Sequence, residues 1–112
     1  MAVVTVARVD DVGEGGMISA EVEGRKLLVA RVNGSFHAID AVCSHMGGDL
    51  AKGKLSNGIV KCPRHGAEYD VRSGDLVKDV GGMAKAINLG RGAKGQKVFK
   101  VVVEGDDVKV EV

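Results

Sequence analysis

The chain has 112 residues, of which 45% are hydrophobic and 28% charged, and its formal net charge is +1. That length fits one compact domain with a modest core, and the mixture is that of a globular chain, not a disordered one. No apolar run approaches the roughly 20 residues that a membrane helix needs. The opening residues, Met1 to Val6, lack the basic region and long apolar stretch of a secretory signal. The expectation is a soluble cytoplasmic protein with no membrane partner. Near-neutral charge, no Trp, two Phe and one Tyr offer neither the field nor the stacking surface that nucleic acid requires. Only two cysteines are present, and each lies close to a histidine, which points to metal chemistry before a disulfide.

Taken in order, the elements read as β. Ile18, Ala20 and Val22 alternate with Ser19 and Glu21, the period of two of a half-buried strand. Glu23-Gly24 turns the chain into a second strand, Leu27 to Val32. Asn33-Gly34 is a strong type I′ signal, because both central positions of that turn need φ > 0, and it delivers a short strand from Ser35 to Asp40. The segment from about 41 to 76 breaks the pattern. Seventeen glycines interrupt most helical windows, and the best helical candidate, Met83 to Leu89, is barely two turns long. Val98 to Val103 is β-branched, Glu104-Gly105-Asp106 turns, and Val108, Val110 and Val112 alternate with Asp107, Lys109 and Glu111. Short strands with frequent turns favour an all-β sandwich or partly closed barrel. From Lys85 to Lys100 there are five basic residues and no acidic one. A solvated loop and strand edge is the plainest reading of that stretch, and a docking patch for an acidic partner the other.

The chemistry concentrates in two segments, Cys43-Ser44-His45-Met46-Gly47-Gly48 and Cys62-Pro63-Arg64-His65-Gly66-Ala67-Glu68-Tyr69-Asp70. The pattern is C-x-H, sixteen residues, then C-x-x-H. Residues two apart on an extended backbone point the same way, so Cys43 and His45 can address one point. Cys62 and His65 are three apart across a proline, which suits a turn. Gly47, Gly48 and Gly66 lie beside these residues, where the lack of a side chain lets backbone N–H groups approach a bulky anionic group. Zinc can use two Cys and two His, but its familiar spacings pair Cys with Cys and His with His. A thiol redox pair would need C-x-x-C and would leave both histidines unexplained. Two buried core thiols with two surface histidines would make a coincidence of two Cys/His pairs in a small chain.

This arrangement resembles the Rieske family, whose motif is C-x-H, fifteen to seventeen residues, then C-x-x-H. Pro63, Gly66, Tyr69 and Asp70 also match that family's C-P-x-H-G-x-x-[FY]-D run, and the likeness fades between Gly81 and Lys97. The resemblance implies a Rieske-like antiparallel β-sandwich or partly closed barrel forming a single domain over residues 1–112. Within it, a small cluster-binding subdomain at about 41–76 is inserted between the strands. It implies one [2Fe–2S] cluster per chain, with Cys43 and Cys62 on the inner iron and His45 and His65 on the outer. Two neutral imidazoles in place of two thiolates make the oxidised centre less negative, which raises its potential.

Around the ligands the resemblance also implies differences. Quinol-oxidising Rieske proteins join an extra Cys from each loop in a disulfide; here those positions hold Gly48 and Arg64. Where they place a serine hydroxyl near a bridging sulfide this chain has Ala67, while Tyr69 keeps the position of a donor to the first cysteine sulfur. The expected potential lies low to middle in the range of about −150 to +300 mV. Pro63 would shield the cluster, Met46 would either do the same or pack as an ordinary loop residue, and Arg64 would be a docking contact. His37 reads as an ordinary strand residue. Lys52, Lys54 and Lys61, interspersed with Asp49, Glu68 and Asp70, read as solvated surface.

The implied function is that of a monomeric one-electron carrier, not an enzyme, taking electrons from a reductase and passing them to an oxygenase or other acceptor. With His37 the only histidine left over, the chain cannot build a two-histidine, one-carboxylate iron site of its own. The alternatives are a small Rieske subunit of a larger redox assembly, such as a nitrite-reductase-like complex, and a zinc-stabilised binding module.

Overall fold

A computed structural model describes residues 3–42, 49–63, 66–78 and 96–111. Its strands are β1 (Val3–Arg8), β2 (Met17–Val22), β3 (Arg25–Val32), β4 (Ser35–Asp40), β5 (Lys54–Ser56), β6 (Ile59–Lys61), β7 (Glu68–Asp70), β8 (Leu76–Lys78), β9 (Val98–Glu104) and β10 (Asp107–Glu111). Two 3₁₀ turns, Val9–Asp11 and Leu50–Lys52, complete the elements among the described residues. Among the described residues no helix is long and apolar enough to cross a membrane. The candidate helix at Met83 to Leu89 lies outside the described residues.

The hairpins form where turn chemistry demands them. Val22 pairs with Arg25 around Glu23 and Gly24 (φ 51° and 78°), and Val32 pairs with Ser35 around Asn33 and Gly34 (φ 52° and 80°). Both are two-residue turns with positive φ at each central position, whose twist matches that of the flanking strands. Asn57 and Gly58 (φ 52° and 79°) repeat the device between Ser56 and Ile59, which joins β5 to β6. The C-terminal hairpin pairs Glu104 with Asp107, as the alternation of valines predicts, and β1, which the sequence reading did not single out, adds antiparallel to β10.

Every strand pair among the described residues is antiparallel. One sheet has the order β1-β10-β9-β4-β3-β2, and a smaller one the order β5-β6-β7-β8. The edge strands β1 and β2 of the larger sheet come into contact, so that sheet curls into a nearly closed barrel. The all-β, partly closed architecture is therefore as expected.

Strand β3 explains how the two sheets hold together. Leu27, Leu28, Val29 and Ala30 are all fully buried, so both faces of the strand are covered. Leu27 and Val29 join Ala38, Phe99, Val108 and Val110 in the barrel interior. Leu28, Ala30 and Val32 face the other way and pack with Val60 and Tyr69 of the smaller sheet and with Val71 just after β7. An unbroken apolar run is the signature of a strand buried on both faces. β3 and β4 thus form a wall between two cores, and the second core includes Cys62, Ala67 and Tyr69 of the second motif segment.

Candidate metal centre

Described residues anchor both motif segments at their bases. The first leaves β4 after Asp40, and an isolated antiparallel bridge between Val42 and Asp49 draws its ends together. The Leu50 N–H donates to the Ala41 carbonyl at 2.8 Å. The Asp49 carboxylate receives the Lys26 ammonium at 2.6 Å and the Ala51 N–H at 3.0 Å. Burial pushes the Asp49 carboxyl up, but Lys26 and the Ala51 N–H outweigh it and hold the group below the ordinary carboxylate value. Ion pair and turn cap therefore fix where the loop re-enters the fold.

The second loop is the tip of the β6–β7 hairpin. Beyond the Lys61–Glu68 pair, the Cys62 N–H donates to the Ala67 carbonyl at 2.7 Å, and the Gly66 N–H to the Cys62 carbonyl at 3.1 Å. Gly66 has φ +79°, a conformation that suits glycine at such a turn. Gly53 braces the same point from outside. A Cβ there would stand 1.9 Å from the Lys61 carbonyl oxygen, so only glycine allows the 3₁₀ turn to lie against the residue before Cys62.

Cys62 is a free thiol, 3% exposed, and Ala67 and Tyr69 are fully buried. Ala41, Leu50, Cys62 and Ala67 all belong to the second core, so the bases of both loops rest on one apolar platform. Cys43, His45, Gly47, Gly48, Met46, Arg64 and His65 lie outside the described residues. Of the four expected ligands, Cys62 is the one whose surroundings are described. A half-exposed hollow of about 280 Å³ opens beside it, bordered by Pro63, Gly66 and Gly53 and by Lys52, Lys54 and Lys61. A buried, unpaired thiol at a pinned loop tip, with open space beside it, fits a thiolate ligand to a cluster of two irons and two sulfides.

Sequence reasoning missed Gln96, the buried polar residue that joins these parts. At 8% exposure, it donates from Nε2 to the carbonyls of Asp40 (2.8 Å) and Val42 (2.6 Å). Its backbone N–H donates to the Gly74 carbonyl at 2.7 Å, and Gly74 in turn donates to the Asp70 carbonyl. One residue at the entrance to β9 thus ties the strand leading into Cys43 to the loop following β7. Nothing local in the sequence signals this, since the carbonyls lie 54 and 56 residues away. Its being the chain's one glutamine is the only hint.

His37 is a β4 residue, as expected, paired with Ala30. It sits near the Asp70–Arg72 ion pair, where burial and the Arg72 charge push its pKa down. Asp70 accepts from the Arg72 guanidinium at 2.9 and 3.1 Å, and this pairing holds its carboxyl below the ordinary value against burial.

Residues 2–88 match the Rieske [2Fe–2S] domain. The chain is 32% identical over 112 residues to the ferredoxin component of biphenyl 2,3-dioxygenase from Rhodococcus jostii, covering 100% of this chain and 94% of that protein. It is 44% identical over 72 residues to mouse apoptosis-inducing factor 3, spanning 64% of this chain but only 12% of that protein's length. The ferredoxin of carbazole 1,9a-dioxygenase from Nocardioides aromaticivorans superposes with a TM-score of 0.81 at 26% identity, covering 98% of this chain and 97% of that one. These matches decide between an iron–sulfur cluster and zinc in favour of the cluster. With Cys62 held at one end of a small sheet packed beside a nearly closed barrel, the chain belongs to the Rieske [2Fe–2S] family.

Proposed function

We propose that this chain is a diffusible one-electron carrier of the cytoplasm, taking electrons from a reductase and delivering them to an oxygenase, and performing no bond-making chemistry itself. The observation that carries the reading is the C-x-H…C-x-x-H spacing together with Cys62, a buried free thiol at a loop tip closed by two backbone hydrogen bonds. The 32% identity to the ferredoxin component of biphenyl 2,3-dioxygenase, over all of this chain, supports a carrier.

Cys43, His45, Cys62 and His65 would hold one [2Fe–2S] cluster per chain, which when bound accepts and releases a single electron. The protein's part is to bury the thiolate end and fix both loops. The Lys26–Asp49 pair, the Gln96 amide and the Gly53 contact hold the loop bases, so that little rearrangement accompanies the change of charge. Gly47, Gly48 and Gly66 would leave room for backbone N–H groups. Ala67 supplies no hydroxyl, while Tyr69 would supply one. That balance supports a potential well below the top of the range of about −150 to +300 mV. We read residues 1–112 as one domain, with 41–76 as the cluster-binding insertion, and the carrier as a monomer.

The decisive experiment is an EPR spectrum of dithionite-reduced protein with iron and sulfide counted per chain. Two irons, two sulfides and a Rieske-type signal are expected; one zinc and no inorganic sulfide would end the reading. Cys62→Ser should abolish both the iron and the signal. Size-exclusion chromatography should return a mass near 11.6 kDa.

A further inference from the structure

We infer that Lys52, Lys54 and Lys61 form a docking surface for an acidic protein partner beside the metal centre, an inference that rests on the carrier reading above. In sequence these lysines are interspersed with acids and resemble ordinary solvated surface. The fold sorts them. Across the smaller sheet, Leu55, Val60, Tyr69 and Leu76 form one cross-strand row, with Val60 and Tyr69 buried and the other two packed against the same core. The next row, on the opposite face, is Lys54, Lys61 and Glu68, and Glu68 pairs in turn with Lys78 on β8.

Lys54 and Lys61 are direct cross-strand partners, a like-charge arrangement that works against the sheet. Lys52, exposed on the adjoining 3₁₀ turn, brings a third ammonium to the same hollow, which Cys62 and Pro63 also line. Asp49 does not neutralise this cluster in a close pair, because its carboxylate is held by Lys26 at 2.6 Å. Glu68, opposite Lys61, offsets one charge of the three.

Elsewhere most described cations have local partners. Arg8, Lys26, Arg72 and Lys109 pair with carboxylates. Arg25, Arg31 and Lys97 lie over phenylalanine rings. Among the described side chains, Lys52, Lys54, Lys61 and Lys100 have neither an ion pair nor a ring contact. Three of these four surround one hollow at the metal centre. The fold gains nothing from placing them together, but an encounter with an acidic surface does. Complementary charge raises the rate of encounter and fixes orientation, and small weak contacts suit a carrier that must leave after each transfer.

Two measurements on the full chain test this. Reduced holoprotein is oxidised by ferricyanide and by tris(phenanthroline)cobalt(III) in a stopped-flow instrument, at an ionic strength of roughly 0.01 M where charge acts over long range. Lys54→Glu/Lys61→Glu should slow the anionic oxidant about tenfold and accelerate the cationic one. Lys100→Glu/Lys109→Glu, the same charge change on the larger sheet, should move either rate less than about threefold. Separately, mild acetylation with poly-L-glutamate present should protect Lys52, Lys54 and Lys61 more than Lys100 and Lys109, a readout that needs no bound iron. Equal kinetic effects of the two double variants, or uniform protection, would overturn the inference. Absence of the EPR signal from the wild-type protein would instead remove the carrier reading, leaving the acetylation pattern to report on the surface alone.

Discussion

Gln96 and Gly53 act through single atoms. Replacing Gln96 by Leu keeps the bulk but takes the donor from two backbone carbonyls at the root of the first loop. Leaving buried acceptors unpaired should cost about 2–4 kcal/mol, read as a lower urea midpoint and faster loss of the cluster's visible absorbance. Gly53→Ala should cost about 1–3 kcal/mol, because its Cβ would collide with backbone, which cannot swing aside as a side-chain tip can. The candidate ligand types were legible in the sequence, since two thiols and two imidazoles at that spacing exclude most other chemistry. The residues that hold them were not. A glutamine bonding 56 residues back, and a glycine required by a carbonyl eight residues on, leave no local pattern.

Among the elements, legibility followed the range of the interactions that fix them. The Glu23-Gly24 and Asn33-Gly34 turns could be read because positive φ is a demand made on two adjacent residues. The same Asn-Gly signal at 57–58 was present, but the strands around it are three residues each, too short for alternation to show. β3 offered no alternation because it has no solvent face, and β1 is recognisable chiefly through its partner β10. The two Asn-Gly turns give a matched test. Gly34→Ala meets no neighbour within 4 Å, so only the backbone strain of about 1–2 kcal/mol should appear in its urea midpoint. Gly58→Ala carries that strain and also presses the Arg72 guanidinium at 3.1–3.2 Å, disturbing its pair with Asp70, so it should be the less stable variant.

For the whole molecule, acid should be destabilising in two steps. The folded pKa of His37 lies below its unfolded value, so the unfolded chain binds the proton more readily, and stability falls as pH drops through about 6.5. Glu14, Asp49 and Asp70 are also depressed, Glu14 chiefly by the Gly34 and Asn33 N–H groups, so their contribution is present above about 4 and lost as pH falls further. In His37→Gln the upper step should vanish from a plot of urea midpoint against pH, while the lower one persists. An unchanged upper step would mean that another group titrates there. The double-sided wall of β3 and β4 has a consequence for modularity. Excising 41–76 and closing the gap would strip the cover from Leu28, Ala30, Val32 and Ile39, leaving a greasy stripe on what remained. Such a truncated barrel should precipitate, not persist as a smaller protein, so grafting these loops onto another scaffold would have to carry the wall along with them.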